Sequence, residues 1–200
     1  MQKPNNFDNT SDGSFTPIAL GGHYMTIKKL EETQSKGRKP MVKIALDFIA
    51  PDAQAGYFTQ AFKDDVRPDK KWPNSGMLYI LTEDENGQCS RSFKRFITAV
   101  EKSNSGFVTQ WGDNFGAQFK NKRLGGVFGI VEDEYNGKVT KKHQLRWVCN
   151  WDSVATASVP DPKLLPDTNV RVSSIPSASA SVSQGGFINI PDGVDEEVPF

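Results

Sequence analysis

The sequence has little cysteine, little histidine and no long apolar run. Cys89 and Cys149 are its two cysteines in 200 residues; they build no disulfide framework and have no metal-ligand spacing. His23 and His143 are its two histidines, and neither has a Ser or Cys nucleophile signature beside it. No stretch of about 18 apolar residues occurs, so no membrane-spanning helix is predicted. The opening Met1-Gln2-Lys3-Pro4-Asn5-Asn6 leads into no apolar segment, which predicts no secretory signal and a cytoplasmic protein. A Gly-rich dinucleotide fingerprint and a phosphate loop are both missing.

Carboxylates are present, but not in a pattern that suggests catalysis. Asp64-Asp65, Glu83-Asp84-Glu85 and Glu132-Asp133-Glu134 fall at expected loops or strand ends and read as solvated charge. A metal-dependent nuclease needs such groups close to a lysine, and Asp69-Lys70-Lys71 matches that only weakly. The expectation is a protein that is not an enzyme and holds no cofactor or metal.

Charge is abundant yet balanced, with a formal net of zero. The balance hides a division along the chain. From Asp152 onward seven acids face Lys163 and Arg171, a net of −5; the first 151 residues carry twenty-two bases and seventeen acids, a net of +5. A basic body joined to an acidic tail fits a protein that touches nucleic acid with one part and protein with the other.

Residues 1–20 are polar around Phe7 and Phe15 and read as a flexible N-terminal arm. His23 to Leu30 reads as a strand. Val42, Ile44, Leu46 and Phe48 then alternate with polar neighbours as a second strand. Between them lies a basic tip, Lys36-Gly37-Arg38-Lys39. Tyr57, Phe58 and Phe62 occupy a segment open between a strand and a single-turn helix. Met77 to Leu81 reads as a short buried strand. Phe93, Phe96, Ile97 and Val100 have i, i+3, i+4, i+7 spacing and predict a helix over about residues 90–103, capped by Ser90 or Ser92. Gly126 to Glu132 and Leu145 to Trp151 read as two more strands, and Asn136-Gly137 between them is a strong hairpin signal.

Strand, strand, strand, helix, strand, strand is the plan of the OB-fold, a five-stranded barrel that binds oligonucleotides across its second and third strands and two loops. A β-sandwich with one helix has the same order. The fold expectation is therefore mainly β: a five-stranded OB-fold-like barrel with one helix between strands 3 and 4, followed by a disordered tail. Its domain is expected over 21–152. Pro160, Pro162, Pro166 and Pro176 with the run Ser177-Ala178-Ser179-Ala180-Ser181-Val182-Ser183 mark 153–191 as a disordered Ser/Pro-rich linker, which leaves 192–200 as an acidic protein-interaction tip.

Binding a single strand takes flat rings for the bases and cations for the phosphates. Lys36, Arg38 and Lys39 lie at the first hairpin tip, Lys70 and Lys71 in a Pro-rich loop, and Lys141 and Lys142 in the last hairpin. These are the expected phosphate contacts. Trp72, between Lys71 and Pro73, is the leading stacking candidate, with Tyr24, Tyr57, Trp111 and Tyr135 behind it. Any one of these rings could instead belong to the core, and hairpin tips are often Lys-rich for solubility alone.

The last residues, Asp192-Gly193-Val194-Asp195-Glu196-Glu197-Val198-Pro199-Phe200, join acidic charge to a large ring. Asp195, Glu196 and Glu197 would steer towards a basic rim, while Pro199 and Phe200 would fill an apolar pocket. This ending resembles the C-terminal tip of bacterial single-stranded-DNA-binding proteins, which recruits replication and repair enzymes. Gly22-His23-Tyr24 and Ser35-Lys36-Gly37-Arg38-Lys39-Pro40-Met41 are similar to a pattern in phage replication-module proteins. Taken together, the chain resembles a bacteriophage single-stranded-DNA-binding protein. The resemblance implies sequence-tolerant coating of single-stranded DNA in replication or recombination within a host bacterial cytoplasm. Replication or recombination proteins would dock on the tip, and an oligomer is possible. An adaptor that binds a replication partner and not DNA, or a strand-annealing mediator, are the alternatives.

Overall fold

A computed structural model of the chain describes residues 1–5, 7 and 16–166. Five antiparallel strands form one sheet: β1 (Gly21–Gln34), β2 (Pro40–Phe48), β3 (Met77–Leu81), β4 (Arg123–Tyr135) and β5 (Lys138–Cys149). Helix α1 (Tyr57–Asp64) connects β2 to β3, and α2 (Arg91–Ser103) connects β3 to β4. The strand order is β3-β2-β1-β4-β5. β1 is central because it serves two partners. Its first residues pair with β4, from Gly21 opposite Phe128 to Thr26 opposite Arg123, and from Met25 onward it pairs with β2. A register shift between Ile27 and Lys29 bends the strand where one partner gives way to the other.

The mainly β, OB-fold-like plan holds, with the helix between the third and fourth strands where it was predicted. The closed barrel does not. Closure needs the outer strands β3 and β5 to pair, and they form no ladder. Instead α2 packs against β3, β4 and β5, while β5 meets the 3-10 turn Asn74–Gly76 that leads into β3. A helix fills the seam that a ladder would have closed.

Physical patterning accounts for these elements. Val42, Ile44, Leu46 and Phe48 all face inward and are buried, as the period-2 alternation requires. Phe93, Phe96, Ile97 and Val100 form the buried stripe of α2. Ser90 caps that helix by accepting from the Phe93 N–H at 3.1 Å. Asn136 and Gly137 take φ values of 52° and 74°, the conformation a two-residue hairpin turn needs to follow the strand twist.

Residues 57–64, left open by the sequence, are helical because of Asp47. This side chain points to the outer face of β2, yet it is buried under α1. Its Oδ1 accepts from the Phe48 and Phe58 N–H groups at 3.0 Å each, and its Oδ2 accepts from the Thr59 hydroxyl. The cap position of α1, Gly56, supplies no side-chain acceptor. A carboxylate from the sheet does so in its place.

Both expected flexible boundaries shift outward. Residues 16–19 are held: the Tyr57 hydroxyl donates to the Thr16 carbonyl at 2.8 Å, Gln54 donates to Pro17 at 3.0 Å, and Ile18 is buried with its carbonyl on the His143 ring. Residues 153–166, read as the start of the linker, also belong to the folded body. Val154 is buried, and a Cβ at Gly22 would overlap the Val154 carbonyl. The Lys163 N–H donates to Ile130 and the Glu132 N–H donates to Lys163, both at 2.9 Å, in a parallel bridge. The cause is geometric. β1 starts at Gly21, so β4 beyond Phe128 has an unpaired side, and an unpaired edge takes whatever backbone can reach it. The remainder of the expected linker, 167–191, lies outside the described residues. Among the described residues no helix is long and apolar enough to cross a membrane.

Candidate nucleic-acid interface

Register fixes what the outer face of the sheet presents. Since directly opposed residues share a face, the ladders place Thr33, Met41 and Leu81 in one row, Glu31, Lys43 and Tyr79 in the next, and Lys29, Ala45 and Met77 in a third. Tyr79, Lys43 and Met77 are half-buried. The remaining burial raises the Tyr79 hydroxyl above the ordinary tyrosine pKa. Glu31 is engaged by Lys29 at 2.5 Å, which leaves Lys43 beside Tyr79 as a cation next to a ring. Sequence reasoning passed over these residues. Five consecutive apolar residues, Met77 to Leu81, read as a wholly buried strand, although Leu78 and Ile80 face in while Met77, Tyr79 and Leu81 face out.

The β1–β2 tip lies at one end of these rows. Arg38 N–H donates to the Ser35 carbonyl at 2.8 Å, and Lys39 N–H donates to the Ser35 hydroxyl at 3.1 Å; Arg38 adopts φ 59°. Lys36, Arg38 and Lys39 are exposed and form no ion pair among the described residues. The loop 65–75 lies towards the other end, about 20 Å away along β2 at the usual rise per residue. There Lys71 is exposed and the Lys70 ammonium donates to the Lys63 carbonyl at 3.0 Å. Asp65 grips Arg67 at 2.8 Å, and that hydrogen bond lowers its carboxyl to about 2.

Trp72 departs from expectation. Its indole N–H donates to the Leu46 carbonyl at 3.1 Å, one residue past the last β2–β3 pair, Ala45 with Met77. Its ring packs on Phe62 at 5.6 Å and against the core. The side chain continues a ladder and is no free platform. Tyr57 is likewise structural, wedged beside Phe48 and Phe58 while its hydroxyl holds residue 16. Tyr24 rests on Trp151 at 4.6 Å, with the Arg123 guanidinium over the far ring at 5.2 Å. Two of the predicted rings do stand open. Trp111 is 69% exposed while stacked on Phe115 at 5.2 Å, and Tyr135 is 62% exposed at the end of β4.

The β5 lysines are not in a loop and are not gathered with the first tip. Lys141 lies opposite Glu132 at 3.6 Å and Lys142 contacts Asp133 at 3.0 Å, so the acids read as solvated charge neutralise them. The ribbon that carries them extends past Gly21, whereas the 35–39 tip extends from the other end of β1.

Trp111 is positioned by a connection that Glu101 ties down. The Glu101 carboxylate accepts from the Thr109 N–H at 3.0 Å, and this bond lowers its pKa below the ordinary glutamate value. A lowered folded pKa means the group stabilises above the unfolded value and loses that contribution as pH falls through the folded one. Glu101→Gln is therefore expected to lower the melting temperature near pH 7 and to have little effect near pH 3, read by thermal melts across that range. An equal shift at both pH values would rule out the ionised carboxylate as the source.

The predicted protein-binding residues Asp195, Glu196, Glu197, Pro199 and Phe200 lie outside the described residues. No group of three or more His, Cys, Asp or Glu side chains among the described residues is arranged to hold a metal ion. Neither a scan against protein-family models nor a search of curated proteins finds a match to the chain.

Proposed function

We propose that the folded body binds single-stranded DNA with little regard to sequence and without catalysis, in phage replication or recombination, while residues 192–200 recruit protein partners. The observation that carries this reading is the outer face of β2 and β3. It sets Tyr79 and Met77 beside Lys43, and at its end stand three cations, Lys36, Arg38 and Lys39, with no acidic partner among the described residues. Rings against bases and cations against phosphates are the two components of sequence-tolerant strand binding. The charge division supports it as well, because a body of +4 through residue 166 attracts what the remaining −4 of the chain repels.

Titration with oligo-dT at low salt is expected to quench tryptophan emission, led by the exposed Trp111, with affinity falling steeply as salt rises. A chain lacking residues 192–200 should bind the same oligonucleotide equally well or more tightly. No quenching and no retention on single-stranded DNA at low salt would sink the reading. Loss of binding on the deletion would sink its division of labour.

A further inference from the structure

Helix α2 carries cations that the sheet-face site does not use. Arg91, Lys94, Arg95 and Lys102 are all exposed and lie along a groove of about 610 Å³ between the helix and the end of β5, with Cys149 and Asn150 on the opposite wall. Among the described residues no acidic side chain lines this groove. The one acid of α2, Glu101, is turned to the Thr109 backbone. Positions 91, 94/95, 98 and 102 recur about once per helical turn, close to 5.4 Å apart. That puts cations on the first, second and fourth turns, and Thr98 on the third. A solvated helix face ordinarily mixes both signs of charge; this one does not.

The groove also connects to the tip. The Thr82 N–H donates to the Pro40 carbonyl at 3.0 Å, directly after Lys39. The Ser90 N–H donates to Thr82 at 2.9 Å, and the Ser90 hydroxyl donates to the Leu81 carbonyl. Lys39, Pro40, Thr82, Ser90 and Arg91 are thus successive points on one surface. We infer that a single strand crossing the β2–β3 face continues past the tip onto α2, where Arg91, Lys94, Arg95 and Lys102 take its phosphates. This rests on the proposed function and adds a second backbone track, so that long strands contact more of the protein than short ones.

The test compares an eight-nucleotide and a thirty-five-nucleotide oligo-dT on the full chain and on R91Q/K94Q/R95Q/K102Q. Each lost phosphate contact flattens the dependence of log affinity on log salt by about 0.7 for single strands. For the long oligonucleotide the variant should lose close to 3 from that slope, and for the short one much less. A long-strand slope equal to that of the unaltered protein overturns the inference. If the unaltered protein binds neither length, the proposed function itself has failed. A footprint on the unaltered chain decides the matter independently of how the variant folds: Cys89 is exposed and lines the groove. The long oligonucleotide should slow its alkylation by a maleimide several-fold and the short one should not. Equal alkylation with bound long strand and without it also overturns the inference.

Discussion

Asp47→Ala is expected to cost about 3 kcal/mol and to lower the melting temperature by roughly 10 °C, given the sensitivity of domains of this size. The loss follows from what the carboxylate holds. Two backbone N–H groups, Phe48 and Phe58, and the Thr59 hydroxyl all donate to it in a buried setting. Removing the acceptor strands these donors under α1, where water replaces it poorly. Phe58, fully buried and 4.9 Å from Phe48, is the first core residue to feel the loosening. Asp47→Asn separates two contributions. The amide keeps one oxygen for the backbone donors, and its nitrogen can donate to Thr59 in reverse, so it should recover more than half the loss. Thermal melts of the two variants measure this; an alanine variant within about 2 °C of the unaltered protein would contradict the capping account.

Neutralising the first hairpin tip should have the largest effect on the binding of short strands. K36Q/R38N/K39Q removes three exposed cations, and at about 0.7 per contact the salt slope for oligo-dT should drop by roughly 2. Asparagine is chosen at position 38 because Arg38 sits at φ 59°, a region that Asn tolerates better than most side chains. The melting temperature should stay put, since the tip is exposed and its turn is held by backbone and Ser35 contacts. K141Q/K142Q is the comparison. Those ammonium groups already face Glu132 and Asp133, so their loss should change the slope less. If the β5 pair matters more than the tip, the strand path proposed above is wrong.

Element type was largely readable from the chain because periodicity survives folding. The α2 stripe with its Ser90 cap, the β2 alternation and the Asn136-Gly137 turn all rest on local spacing, and all appear where local spacing put them. What could not be read depends on distant partners. α1 needs an acid from β2, eleven residues before its first capped N–H at Phe58. Trp72 needs a carbonyl twenty-six residues away. A Pro-rich, cationic loop therefore looked like a perch for a ligand when it was a place for one more ladder bond. Composition also misled at 153–166. Proline and small residues mark a segment that makes no core of its own, but not whether an unpaired strand edge lies within reach. The α2 cations were hidden for a different reason: the apolar stripe defined the helix, and the opposite face was left unread.

The strap at Lys163 has a mechanical side. Two 2.9 Å backbone bonds flank that residue, the Arg146 guanidinium holds the Asp161 carbonyl at 2.9 Å, and Leu165 N–H reaches Glu132 at 3.2 Å. None of the five strands depends on them. A partner pulling on the chain beyond residue 166 would load these few bonds in series with the sheet, and they would peel first. On the proposed function the strap would act as a sacrificial link, giving way under tension while the proposed strand-binding surface stays whole.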